Sequence, residues 1–266
     1  MMQHGFDNPI YEMSIDSREC AIDLMVNDMP CFSNFAYGGM AVDWPVNTAL
    51  LRSGQQFFLL KILPYADESI INKKAFVSLK IVVRDAYDGS KSKVVVSNFE
   101  PVDFSKFENE VPEYELSDKF AAEIPYTHRG WTSSQIVSNE NLSELRSEID
   151  KFYFNLLTIF KTKNLSKYNE LNAERFDELC SSFYLNSSEV KKREATLIPQ
   201  FSGVIQKENI EKYDLKFYGE GKLVGVNIPF EPVGLKFDSD REEDGFIYEQ
   251  ALFHRKEKGG KLLLIR

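Results

Sequence analysis

At 266 residues, with 43% hydrophobic and 13% aromatic content, the chain can bury a substantial core and falls outside the disordered class. A formal net charge of −9 argues against a bulk nucleic-acid binder, which needs a basic surface. No apolar run approaches the roughly 20 residues that cross a bilayer, and the opening "MMQHGFDNPIYEMSIDSREC" lacks the basic-then-apolar pattern of a secretory signal. A cytoplasmic protein with neither a membrane nor a nucleic-acid partner is the expectation.

Up to about Pro125 the chain reads as short strands separated by turn signals. Candidates lie at Ala21–Val26, Val46–Leu51, Gln56–Leu63, Ala75–Asp85, Lys93–Phe99 and Tyr114–Ile124. Ser53-Gly54 and Asp88-Gly89 carry the small and polar residues that close hairpins. "FFLLKIL" is apolar on both faces, as suits a central strand with its outer side covered. Strands at this spacing predict an antiparallel β-sandwich over residues 1–130. "WPVNTALLRSGQQFFLLKILP" then supplies two adjacent strands of the framework and their connection.

The period changes after "PYTHRGWTSSQIVSNENL". With Ser138 or Asn139 as cap, a helix is predicted from about Asn141 to Thr162, its face formed by Leu142, Leu145, Ile149, Phe152, Leu156, Ile159 and Phe160. "KYNELNAERFDELCSSFYL" gives a second helix, and "SSEVKKREATLIPQF" a third that breaks before Pro199. "YDLKFYGEGKLVGVNI", "VGLKFDSD", "FIYEQALFHRK" and "KLLLIR" return to strands. Residues 131–266 therefore read as an α+β domain of helices packed on a curved antiparallel sheet.

Catalytic signatures are missing: no Gly-x-Ser-x-Gly elbow, phosphate-binding glycine loop or His-Glu-x-x-His is present, and no cofactor is implied. Cys20, Cys31 and Cys180 form no Cys-x-x-Cys pair and read as reduced, mostly buried thiols. In "FDSDREEDGFIYE" the acidic spacing begins like a calcium loop, but Ala251 stands where the bidentate Glu belongs. A solvated hairpin loop is the better reading. Its Asp240, Glu242, Glu243 and Asp244, with Asp238 beside them, are candidate contacts for a basic protein partner. His128, Arg129 and Trp131 cluster at the proposed domain junction, while Tyr153, Tyr184 and His254 are candidates for a pocket in the second domain. His254 itself reads as exposed or paired near a strand end.

From about Leu142 to Arg266, the order of helices followed by strands is similar to that of the nuclear transport factor 2-like (cystatin-like α+β) superfamily. That resemblance implies a conical cavity but no particular activity, since the superfamily holds enzymes, ligand binders and interaction modules. The two-part plan as a whole resembles uncharacterised bacterial immunity-type proteins. Together these features favour a non-enzymatic protein-interaction module, of the kind that neutralises a partner toxin. The competing reading is a small-ligand-binding or hydrolytic protein using a cavity in the C-terminal domain, and a surface-binding module outside the cytoplasm is a third.

Overall fold

The computed structural model describes residues 5–196, 204–207, 213–239 and 245–265. Its chain divides into two units, one running up to His128 and taking in Ser182–Tyr184, the other holding Arg129–Ser181 and the residues from Leu185 onward.

Among the described residues, nine strands build the first unit: β1 (Pro9–Arg18), β2 (Ala21–Val26), β3 (Met29–Asn34), β4 (Gly39–Pro45), β5 (Gly54–Leu63), β6 (Phe76–Asp85), β7 (Val94–Asn98), β8 (Val102–Asp103) and β9 (Tyr114–Ala122). They form two sandwich-like antiparallel sheets, one ordered β4-β1-β6-β7 with β8 also on β6, the other β3-β2-β5-β9. The chain changes sheet between β1 and β2 at Glu19 and Cys20, where Glu19 takes a φ of 55°. Asn27 and Asp28, at φ 53° and 56°, close the β2–β3 hairpin as a primed two-residue turn. Inward residues such as Met13, Ile22, Leu24, Phe58, Leu60 and Ile81 are fully buried, each contributing about 1.5–3 kcal/mol.

β1 escapes a simple alternation reading because Glu12 is buried within it. Its carboxylate accepts Arg84 Nε and Lys93 Nζ, both at 2.7 Å, which offsets the cost of removing a charge from water. The expected strand over Val46–Leu51 is instead a single 3-10 turn, Asn47–Ala49. Asn47 is completely buried; it accepts from Tyr11 N at 2.8 Å and donates to Pro9 O at 2.9 Å and Ser182 O at 3.1 Å. A side chain so committed to backbone groups replaces the ladder that a strand would have made. β5 is central, but its outer side is only partly covered: Phe57 is 42% exposed while Phe58 is buried.

In the second unit α1 (Leu142–Thr162) is capped by Asn141, whose Oδ1 accepts from Ser143 N at 2.9 Å and Glu144 N at 3.2 Å. The cap falls later than Ser138 or Asn139, at the residue whose side chain reaches the first free amides of the helix. Leu142 is exposed, and Tyr153 joins the buried face in its stead. α2 (Leu165–Ser182) follows, its final residue counted with the first unit, and then α3 (Ser187–Thr196). The predicted continuation of that third helix to Pro199 lies outside the described residues.

The strands of this unit are β10 (Val204–Lys207), β11 (Asp214–Tyr218), β12 (Leu223–Asn227), β13 (Leu235–Ser239), β14 (Phe246–Glu249), β15 (Leu252–Arg255) and β16 (Leu262–Leu264). They do not form the expected curved sheet. Two separate open antiparallel sheets appear, β10-β13-β14 and β11-β12-β15-β16. "FIYEQALFHRK" reads as one strand but breaks at Gln250 and Ala251, and the chain passes there from one sheet to the other. With no continuous curved sheet the nuclear transport factor 2-like resemblance fails, and the immunity-type likeness drawn from the same plan falls with it. α1 and α2 still pack on strands of both sheets, through Tyr153, Leu156, Phe160, Tyr168, Val226, Phe237 and Phe253.

A buried carboxylate lies within this packing. The Glu249 carboxylate is bonded by Arg175 Nη1 and by Tyr168 Oη at 2.8 Å, both from α2, and Asn172 Oδ1 accepts from the same guanidinium at 3.1 Å. Burial, with the Glu249 charge beside it, pushes the Tyr168 phenol above its ordinary value, so it stays a donor. Glu249→Ala leaves the part-buried Arg175 without its carboxylate and is expected to cost about 3 kcal/mol; urea unfolding followed by circular dichroism reads the loss directly.

Candidate functional site

The residues singled out from sequence belong partly to one unit and partly to the other, and some lie outside the described residues. Asp238 is half-buried on β13, opposite Phe246 of β14, while Asp240, Glu242, Glu243 and Asp244 lie outside the described residues. His128 belongs to the first unit, its amide bonded to Leu51 O at 2.7 Å and its ring stacked 4.4 Å from Tyr126. Tyr184 is also there, half-buried with its hydroxyl on Pro9 O at 3.1 Å. Arg129 and Trp131 belong to the second unit. Arg129 is exposed and donates to Ser133 Oγ at 2.8 Å, whereas Trp131 is buried against Gly219. A Cβ at Gly219 would meet the indole at 2.6 Å, so glycine is required there. Tyr153 is core: stacked on Phe237, it donates to Lys236 O at 2.8 Å.

His254 proves to be buried at 1% exposure on β15. Ser134 Oγ lies 2.7 Å from its Nδ1, held by backbone bonds from Ser134 N to Trp131 O and from Gln135 N to Arg255 O. Its Nε2 has no hydrogen-bond partner among the described residues; Glu174 Oε2 is 4.0 Å away and is taken by Lys256 Nζ at 2.6 Å. Burial lowers the imidazole pKa, against the opposing pull of Glu174. Hydroxyl, imidazole and carboxylate thus lie in series, but the carboxylate is too distant to orient the ring and is held by an ammonium. The serine satisfies a neutral buried histidine.

Glu174 also lines a cleft of about 660 Å³. Phe152 and Ile159 of α1, Leu171 of α2, and Leu262 and Leu264 of β16 supply its apolar surface, with Lys167, Glu170, Glu174 and Lys261 as its charged members. β16 ends its sheet. Leu263 pairs with His254, and Ile265 N donates to Leu252 O at 2.9 Å. Alternation along an antiparallel strand therefore turns the amide and carbonyl groups of Leu262 and Leu264 to the opposite edge. No described residue bonds them there.

The hairpin carrying this edge is anchored at its root. Arg255, 5% exposed, donates to Glu140 at 2.9 and 2.8 Å, to Glu148 at 3.0 Å, and across its own turn to Gly260 O. A fork-to-fork pair of this kind fixes orientation as well as position. Sequence reading found β16 as "KLLLIR" but missed the cleft. The available signal was Lys167, Glu170, Leu171 and Glu174, which recur at helical spacing along α2.

Elsewhere, Cys20 and Cys180 are buried and Cys31 is half-buried, none of them in a disulfide; burial drives the Cys20 thiol up to about 11. Among the described residues no group of three His, Cys, Asp or Glu side chains could hold a metal ion, and no helix is long and apolar enough to cross a membrane.

Because the folded state holds His254 with a lowered pKa, the unfolded chain binds the extra proton as pH falls below the ordinary value of 6.5. The stability His254 confers is full above that value and declines below it. Urea unfolding of wild type and His254→Gln between pH 7.5 and 5 is expected to show their stability difference shrinking with acid; a difference that grows would contradict a neutral buried imidazole. No family model matches the chain, and neither a curated protein nor a solved structure is similar to it.

Proposed function

We propose that the protein is a non-enzymatic interaction module whose cleft receives an extended segment of a partner protein as an added strand on β16. The observation that supports this reading is the unbonded edge of Leu262 and Leu264 bordering an apolar cleft. Unpaired edge groups attract any chain that can complete the ladder. Here the edge is short, and the helices beside it offer Phe152, Ile159 and Leu171 to alternate side chains of an incoming strand. Backbone pairing supplies affinity in that mode, and the apolar floor supplies selection.

A small-ligand reading has one observation in its favour: the cleft volume of about 660 Å³ falls in the range of ligand pockets. Tyr153, however, does not line the cleft, and its hydroxyl is satisfied by Lys236 O.

Leu262→Pro separates the two readings when set beside Leu262→Ala, which trims the same cleft-lining side chain but keeps the outward amide. Proline removes the outward amide while leaving the pairing of Leu263 with His254 intact, the placement an edge strand tolerates. Peptides selected from a displayed random library on the wild-type protein are expected to bind Leu262→Pro at least about tenfold more weakly, a loss equal to one charge-free ladder bond and its neighbours. Thermal denaturation confirms that the variant is folded. Equal affinities would end the strand-addition reading.

A further inference from the structure

We infer that the segment taken up along β16 is acidic, an inference that rests on strand addition at the same cleft. The cleft holds more uncommitted positive charge than negative. Lys167 and Lys261 line it and form no ion pair with any described residue. Glu174, one of the two carboxylates of the lining, is occupied by Lys256 at 2.6 Å. Glu170 is the single uncommitted carboxylate of the lining. An approaching strand therefore meets two available ammonium groups against one carboxylate, beside a floor that accepts apolar side chains. A segment alternating apolar residues with Asp or Glu satisfies both demands, because side chains two apart in a strand share a face.

Charge also argues against a second copy as the occupant. Pairing β16 with itself would bring two lysine-bearing clefts together. Like charges in register oppose such an encounter.

The test is a selection of displayed random decapeptides on the full chain, with depletion on Leu262→Pro, followed by fluorescence polarisation of the enriched sequences. Enrichment of Asp and Glu at alternate positions is expected. Affinity should fall severalfold between 50 and 300 mM NaCl, as rim charges are screened. The double variant Lys167→Glu/Lys261→Glu should lose at least tenfold for the acidic peptide and gain for the same peptide with Lys at its acidic positions. Sequences that are basic or uncharged, yet still depend on Leu262, would overturn the acidic assignment and leave strand addition standing. If no enriched sequence distinguishes wild type from Leu262→Pro, strand addition itself is wrong. Sedimentation showing a dimer that Leu262→Pro dissociates would replace both with self-pairing of the edge.

Discussion

The buried carboxylate of Glu249 fixes the geometry on which the cleft of the second unit depends. A charge 6% exposed must find cationic or donor partners, and it finds Arg175 and Tyr168 on α2. Tyr168, Asn172 and Arg175 stand four and three residues apart, so satisfying the carboxylate sets the rotation of the helix about its axis. Once that face is turned to β14, the neighbouring stripe of Lys167, Glu170, Leu171 and Glu174 falls along the cleft. The ion pair contributes less through net stability than through choosing one helix orientation, since apolar contacts alone tolerate several. Tyr168 and Phe176 pack on the same side and reinforce that choice.

A second constraint acts at the points where the chain leaves one sheet for another. Glu19 and Cys20 separate strands of different sheets in the first unit, as Gln250 and Ala251 do in the second. Such crossings cover inner faces without long connections, and they break the period of the sequence where it would otherwise guide the reader. "FIYEQALFHRK" has enough β-branched and aromatic residues for one long strand, yet Glu249 needs α2 and His254 needs Ser134. Those two demands are met in different sheets. The curved sheet expected from element order fails for that reason, and the superfamily resemblance built on it fails too.

Legibility followed the hydrophobic pattern and stopped where polar groups were buried. α1 was readable because Leu145, Ile149, Leu156 and Phe160 recur at helical spacing on a buried face. β2, β5, β6 and β9 were readable from their apolar content. β1 was hidden by Glu12, whose burial makes sense only when Arg84 and Lys93 are seen to reach it from β6 and from just before β7. Asn47 misled in the opposite direction: it sits among apolar neighbours and looks like part of a strand, but its amide binds backbone on two other segments. The cleft was invisible for a related reason. Lys167, Glu170 and Lys261 are ordinary surface residues until α2 and β16 are placed side by side.

Net charge, which sequence reading used to expect a basic partner, is a weak guide to what such a cleft accepts. A formal −9 is the difference between 41 acidic and 32 basic residues distributed along the whole chain. At physiological ionic strength a charge is felt over about 8 Å, so an entering strand responds to the groups that line the cleft and hardly to the sum. Lys167 and Lys261 are available within that distance, while the Glu174 charge is spent on Lys256. On the strand-addition proposal, the groups that line the cleft, and not the net charge of the chain, set the sign of the segment it takes.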